Sequence, residues 1–295
     1  MTSNSLHSTD PHRRGAVSAP SSPPPNKPPE TAFPLPWLVV ALSVSALVTL
    51  LIVTPGGLLT KADLVGYAVC HRIPSHSFAV GGRPLPLCAR CSGTFLGALV
   101  GFFGQGVVLR RRRAAEFPPP LIIGLLVAFI LSMAADGLNS YLSLFPHGRY
   151  LYEPRNWLRL STGALNGLAM SALVYPVFNF TFWRRPVVER AVRNLRDLGV
   201  LLLLEAGMVG LLLTGWDFVL YPLALLSALG VLALLTSVNS VLVLTIIRRE
   251  NVASTWREAL VPLLAGLTVS LIQVTVIDLV RYALTGTLSG IPPLQ

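Results

Sequence analysis

All three cysteines of this 295-residue chain, Cys70, Cys88 and Cys91, fall in one short stretch together with two of its five histidines, His71 and His76. The run reads Cys70-His71-Arg72-Ile73-Pro74-Ser75-His76-Ser77-Phe78, followed by Leu87-Cys88-Ala89-Arg90-Cys91-Ser92-Gly93. Thiolate sulfur and imidazole nitrogen are donors that zinc and copper accept. Cys70, Cys88, Cys91 and one histidine make a Cys₃His set. Adjacent Cys70 and His71 do not easily reach the same ion, so His76 is the substitute for His71. The Cys88-x-x-Cys91 dithiol also has the spacing for disulfide exchange, and a helix N-terminus with Arg90 beside it would favour its thiolate. Outside the cytosol the same thiols can form a plain structural disulfide or lie inert. A metal-binding site, a membrane thiol–disulfide oxidoreductase using Cys88 and Cys91, and a transporter or structural membrane subunit with a disulfide are all open, and with them whether the chain is an enzyme. The odd count leaves at least one thiol unpaired in a monomer.

Other polar residues stand at the ends of apolar runs, where they are expensive unless partnered. Asp136 precedes Gly137 and Asn139, while Glu153 and Asn156 precede Arg159. Arg159, Thr162, Gly163, Asn166 and Gly167 recur at helical spacing and share one face, pointing into a bundle. An Arg159–Asp136 pair, serving a metal site or an anionic ligand, is one expectation. Its alternative has Arg159 snorkelling to headgroups while Asp136 caps a helix. Gly93, Gly97, Gly101 and Gly104 form a small-residue ridge suited to close helix packing. Glu205, in mid-run, is expected to find an internal hydrogen bond, and Asp278 with Arg281 is expected at an interface.

The elements that must position these residues are membrane helices. The chain is 53% hydrophobic and only 12% charged, and its mean hydropathy is +0.64. A spanning helix needs about 20 apolar residues. Apolar runs fall at 35–56, 90–109, 119–140, 159–180, 197–215, 219–247 and 259–284. Gly215-Trp216-Asp217 breaks the long run 197–247 into two helices joined by a tight turn. The expected fold is therefore all-α, a polytopic transmembrane bundle of about seven spans over residues 35–295. Residues 1–34, rich in Ser and Pro, read as a disordered tail. This tail is too long and polar to open a cleaved signal peptide, so the first run is expected to be a retained span.

The net charge of +10 resides in clusters between apolar runs, which argues for membrane topology and against nucleic-acid binding. Arg110–Arg113 follow the second run. Arg184, Arg185, Arg190, Arg193 and Arg196 follow the fourth, and Arg248, Arg249 and Arg257 the sixth. With seven spans these lie on one side, together with Arg13, Arg14 and Lys27 of the tail. The positive-inside rule makes that side cytoplasmic, with the N-terminus. The expected location is a plasma membrane, multi-pass, with the arginine clusters facing anionic lipids. Lys61, Arg72, Arg83 and Arg90 weaken the bias from the far side. There is no phosphate-binding Gly-Lys-Ser loop, dinucleotide fingerprint or serine nucleophile elbow.

The Cys70-His71-Arg72 and Cys88-Ala89-Arg90-Cys91-Ser92-Gly93 blocks, with Gly97, resemble a family of prokaryotic membrane proteins known as domain of unknown function 2085. Asp136-Gly137, Asn156, Arg159, Thr162-Gly163 and Gly167 resemble its second block. The resemblance covers about 62–175. It implies a membrane protein and singles out these residues, and it implies no particular activity.

Overall fold

The computed structural model describes residues 36–53, 56–145 and 149–287. The tail 1–34, with Arg13, Arg14 and Lys27, lies outside the described residues. Eight α-helices are described: α1 Pro36–Val53, α2 Leu58–Val69, α3 Ala89–Phe103, α4 Pro120–Leu142, α5 Asn156–Phe182, α6 Leu195–Leu213, α7 Asp217–Ile246 and α8 Trp256–Thr285. A π-helical turn, Gly104–Val108, prolongs α3. Seven of the helices sit on the seven apolar runs. The eighth, α2, was not expected. Its Lys61 and Asp63 interrupt the apolar residues, yet Ala62, Val65 and Gly66 recur at helical spacing and are buried.

By length and composition, five helical stretches can cross a membrane: Ala89–Val108, Pro120–Leu142, Asn156–Phe182, Asp217–Ile246 and Trp256–Thr285. A shorter apolar stretch, Pro36–Leu50, adds to them, and α6 carries Arg196, Asp197 and Glu205 within its length. The outward faces expose large apolar side chains such as Leu121, Leu131 and Leu138 on α4, a surface suited to lipid. The tight turn between α6 and α7 is present, with Gly215 at φ +70, backbone that only glycine enters without cost.

Helices α3 and α5 form the centre of the bundle, and they do so through glycine. A Cβ added at Gly93 would collide with the Leu160 carbonyl, and one at Gly97 with that of Ala164. Reciprocally, one at Gly163 would meet the Arg90 carbonyl, and one at Gly167 that of Thr94. The matched positions rise together along both helices, so the pair runs parallel. Its first turns, carrying Cys91 and Arg159, therefore lie side by side. Gly230 brings α7 equally close to the Phe95 carbonyl on the other side of α3. The expected glycine ridge and the inward face of α5 are both realised.

At the far end of α3 and α5 the arginine-bearing loops join. Strands β3 Ala114–Glu116 and β4 Val187–Arg190 pair in parallel, and Trp183 bridges to Ala253. Arg113 donates to the Ser254 carbonyl at 2.7 Å and stacks over Trp183 at 4.5 Å. Arg111 pairs with Glu189 and Asp197. The loops after α3, α5 and α7 thus occupy one end of the bundle, and the cysteines occupy the other.

Candidate thiol-rich metal centre

The first cysteine terminates α2. Cys70 is extended at the C-cap, and Arg72, two residues on, takes a left-handed φ of +53. That turn directs the Arg72 N–H at the Cys70 sulfur, 3.4 Å away. The Cys88 N–H reaches the same sulfur at 3.3 Å. Between these points the chain makes a hairpin of β1 Ala79–Val80 and β2 Arg83–Pro84. Gly81 and Gly82, at φ +54 and +77, make the two-residue turn that such hairpins require. The hairpin is tied down by Arg83, which pairs with Asp63 together with Arg72. It returns the chain to Cys88, the N-cap residue of α3, with Cys91 one turn inside.

The result is a cluster. The sulfurs of Cys70, Cys88 and Cys91 all lie within 4.8 Å of one another, and none is in a disulfide. Cys70 and Cys88 are buried and Cys91 is half-buried. His71 Nδ1 stands 3.6 Å from the Cys70 sulfur. Adjacent Cys70 and His71, not expected to reach the same ion easily, thus stand side by side. The extended backbone at Cys70 lets the imidazole fold back toward its neighbour's sulfur. His76 Nδ1 stands 3.2 Å from His71 Nε2.

Electrostatics assign the protons. Hydrogen bonds from Cys88, Cys91 and His71 hold the Cys70 thiol far below its usual range, against the opposing effect of burial. The Cys70 and Cys88 sulfurs raise His71 to about 9. Burial, then the charge of Arg159, lowers His76 to about 4. A neutral His76 therefore accepts from the His71 Nε2–H. Such a bond fixes the ring so that Nδ1 faces sulfur.

Behind the cluster lies a buried polar network. Asp136 is 1% exposed, and its partner is Arg90 on α3, which pairs with the carboxylate through Nε at 3.2 Å and through Nη2. The Tyr152 hydroxyl donates to the other carboxylate oxygen at 2.9 Å. Arg159, 4% exposed, donates instead to Asn156 Oδ1 at 2.8 Å and to Ser140 Oγ at 3.3 Å. The expected Arg159–Asp136 pair is thus replaced by Arg90–Asp136, and Arg159 does not snorkel. The parallel α3–α5 packing sets Arg90 toward α4, nearer to the carboxylate. Asn156 also donates to the Ser75 carbonyl at 3.2 Å, linking α5 to the histidine loop.

Two residues not singled out from sequence, and a third in an unexpected role, complete the site. Tyr152 and Ser140 carried no signal of spacing. Arg281, expected at an interface, stacks over Tyr67 at 4.1 Å. It also donates to the Tyr67 carbonyl and, at 2.8 Å, to that of Cys70. Glu205 also departs from expectation. It is 3% exposed, and neither carboxylate oxygen has a hydrogen-bond partner among the described residues.

Fold and site together define a multi-helix membrane protein with a three-cysteine cluster at one end of its bundle. Residues 70–173 match the family described as "Predicted membrane protein", domain of unknown function 2085. The match spans both sequence blocks that carried the resemblance. An uncharacterised Methanocaldococcus jannaschii protein is 31% identical over 110 residues, 37% of this chain and 64% of that relative. An uncharacterised Methanothermobacter thermautotrophicus protein is 29% identical over 105 residues, 36% of this chain and 83% of the relative. This chain thus spans less than two thirds of the first relative's length. No solved structure matches.

Proposed function

We propose that Cys70, Cys88, Cys91 and His71 hold a zinc or copper ion at the extracytoplasmic face of a seven-span plasma-membrane protein. The observation that carries this reading is the convergence of three sulfurs within 4.8 Å, with a histidine nitrogen 3.6 Å from one of them. Metal–sulfur bonds of about 2.3 Å and metal–nitrogen bonds of about 2.0 Å set tetrahedral edges near 3.8 and 3.6 Å, and so match these separations after small shifts. The backbone N–H groups on Cys70 stabilise thiolate, the form that ligates. Three thiolates around a divalent ion leave one net negative charge, which Arg159 balances because Asp136 is already paired with Arg90. Four protein donors close the shell, the pattern of an ion that ties segments together. His76 orients His71 and stands outside that shell.

Anaerobically purified protein is expected to contain about one equivalent of metal, lost in Cys88→Ser, as coordination by three thiolates and a histidine requires. Metal-free wild type overturns the reading. A reversible two-electron couple between Cys88 and Cys91 in that metal-free protein supports a thiol–disulfide oxidoreductase instead.

The orientation rests on the arginine loops. Those after α3, α5 and α7 gather at the end opposite the cysteines, the arrangement the positive-inside rule reads as cytoplasmic. At the cysteine end, Arg72, Arg83 and Arg90 are engaged by Asp63 and Asp136. In chelator-treated intact cells a membrane-impermeant maleimide is expected to label half-buried Cys91. Labelling confined to inverted vesicles reverses the orientation. The arginine loops then face anionic lipid on the cytoplasmic side.

A further inference from the structure

Between α1, α2 and α8 lies a cavity of about 630 Å³, lined by Ala46, Leu50, Leu64, Leu271 and Val274, with Asp278 as the acidic group in its wall. A cavity of this size accommodates a small ligand. Asp278 is 8% exposed, and its Oδ1 meets no donor among the described residues. The nearest arginine in sequence, Arg281, is engaged elsewhere, on Tyr67 and the Cys70 carbonyl. No ion pair among the described residues includes Asp278. A buried acceptor without a donor is costly, and proteins rarely leave one so unless something else supplies the donor.

The cavity is also graded along α8. Asp278 and Tyr282 lie toward the helix end shared with the cysteines, while Leu271, Ile272 and Val274 lie one to two turns deeper. A molecule with its polar group near the membrane surface and its chain in the interior has the same polarity profile. Charge selects among such molecules: an ammonium or hydroxyl head donates to Asp278, whereas a carboxylate or phosphate head meets an acid.

We propose that this cleft binds a single-chain amphiphile whose head group donates a hydrogen bond to Asp278. The test uses full-length protein in phosphatidylcholine vesicles, photolabelled with hexadecylamine carrying a diazirine in its chain. Label is expected on α1 and α8, competed by unlabelled hexadecylamine and hexadecanol but not by palmitate. Asp278→Asn is expected to weaken hexadecylamine binding by about tenfold or more, the loss of one charge-assisted hydrogen bond. Ala46→Phe, which fills the cleft and keeps the acid, is expected to abolish labelling. One substitution preserves volume and the other preserves charge, so a folding failure in either leaves the other informative. Competition by palmitate equal to that by hexadecylamine, or unchanged labelling in either folded variant, overturns the proposal.

Discussion

Leucine in place of Gly167 is expected to abolish recovery of folded protein. The obstacle to a side chain at this position is backbone, the carbonyl of Thr94 and the amide of Ala98 on the facing helix. Overpacked side chains can rotate away at a cost of about 1–3 kcal/mol, but a facing backbone moves only with its whole helix, so the cost passes about 4 kcal/mol. Helix α5 would have to separate from α3 along the seam where Gly93, Gly97 and Gly163 make equivalent approaches. The cysteines would lose their alignment with Arg159 at the same time. Gly124 on α4 is the control, because nothing lies within 4 Å of a Cβ built there. Gly124→Leu is expected to match wild type in gel-filtration recovery and detergent melting. If Gly167→Leu does the same, the parallel glycine seam is not what holds the bundle.

The second large effect is electrostatic. Asp136→Asn removes the only carboxylate hydrogen-bonded to Arg90 among the described residues and takes the anionic acceptor from Tyr152. Breaking one side of a buried pair typically costs about 3–5 kcal/mol, because the remaining charge stays desolvated. Replacing both partners, Arg90→Met with Asp136→Leu, is expected to recover most of the lost stability. Thermal melts in detergent, arranged as double-mutant cycles, separate the two arginines. The Arg90–Asp136 coupling should exceed the Arg159–Asp136 coupling, since Arg159 bonds Asn156 and Ser140 instead. The reverse ranking would replace the network described here with the pair expected from sequence.

That reversal shows where sequence reading stops. Long-period signals were legible. Seven apolar runs became helices, the small residues of α3 became a packing seam, and Arg159, Thr162 and Asn166 shared the inward face that their spacing dictated. The three cysteines announced the site because they are rare and near one another. Choices made in three dimensions were not legible. Arg90 and Arg159 stand at the same depth, and only the rotation of α3 against α5 decides which one meets Asp136. The fold-back of His71 depends on extended backbone at Cys70 and a left-handed Arg72, which no composition rule supplies. Helix α2 was hidden because Lys61 and Asp63 sit among its apolar residues. Glu205 was expected to find a partner, and its solitude depends on what α3 and α5 present to it.

Arg281 bears on how this molecule can be dissected. The Tyr67 and Cys70 carbonyls are acceptors at the close of α2, groups a helix end leaves bare unless something caps them. Their cap arrives from α8, more than two hundred residues along the chain. The stretch matched by the family, residues 70–173, thus depends on α8 for part of its first cysteine's surroundings. Excised at its own borders, it would carry its first cysteine on an unfinished terminus. Absence of bound metal from such a truncation would report the missing cap and say nothing about the donors.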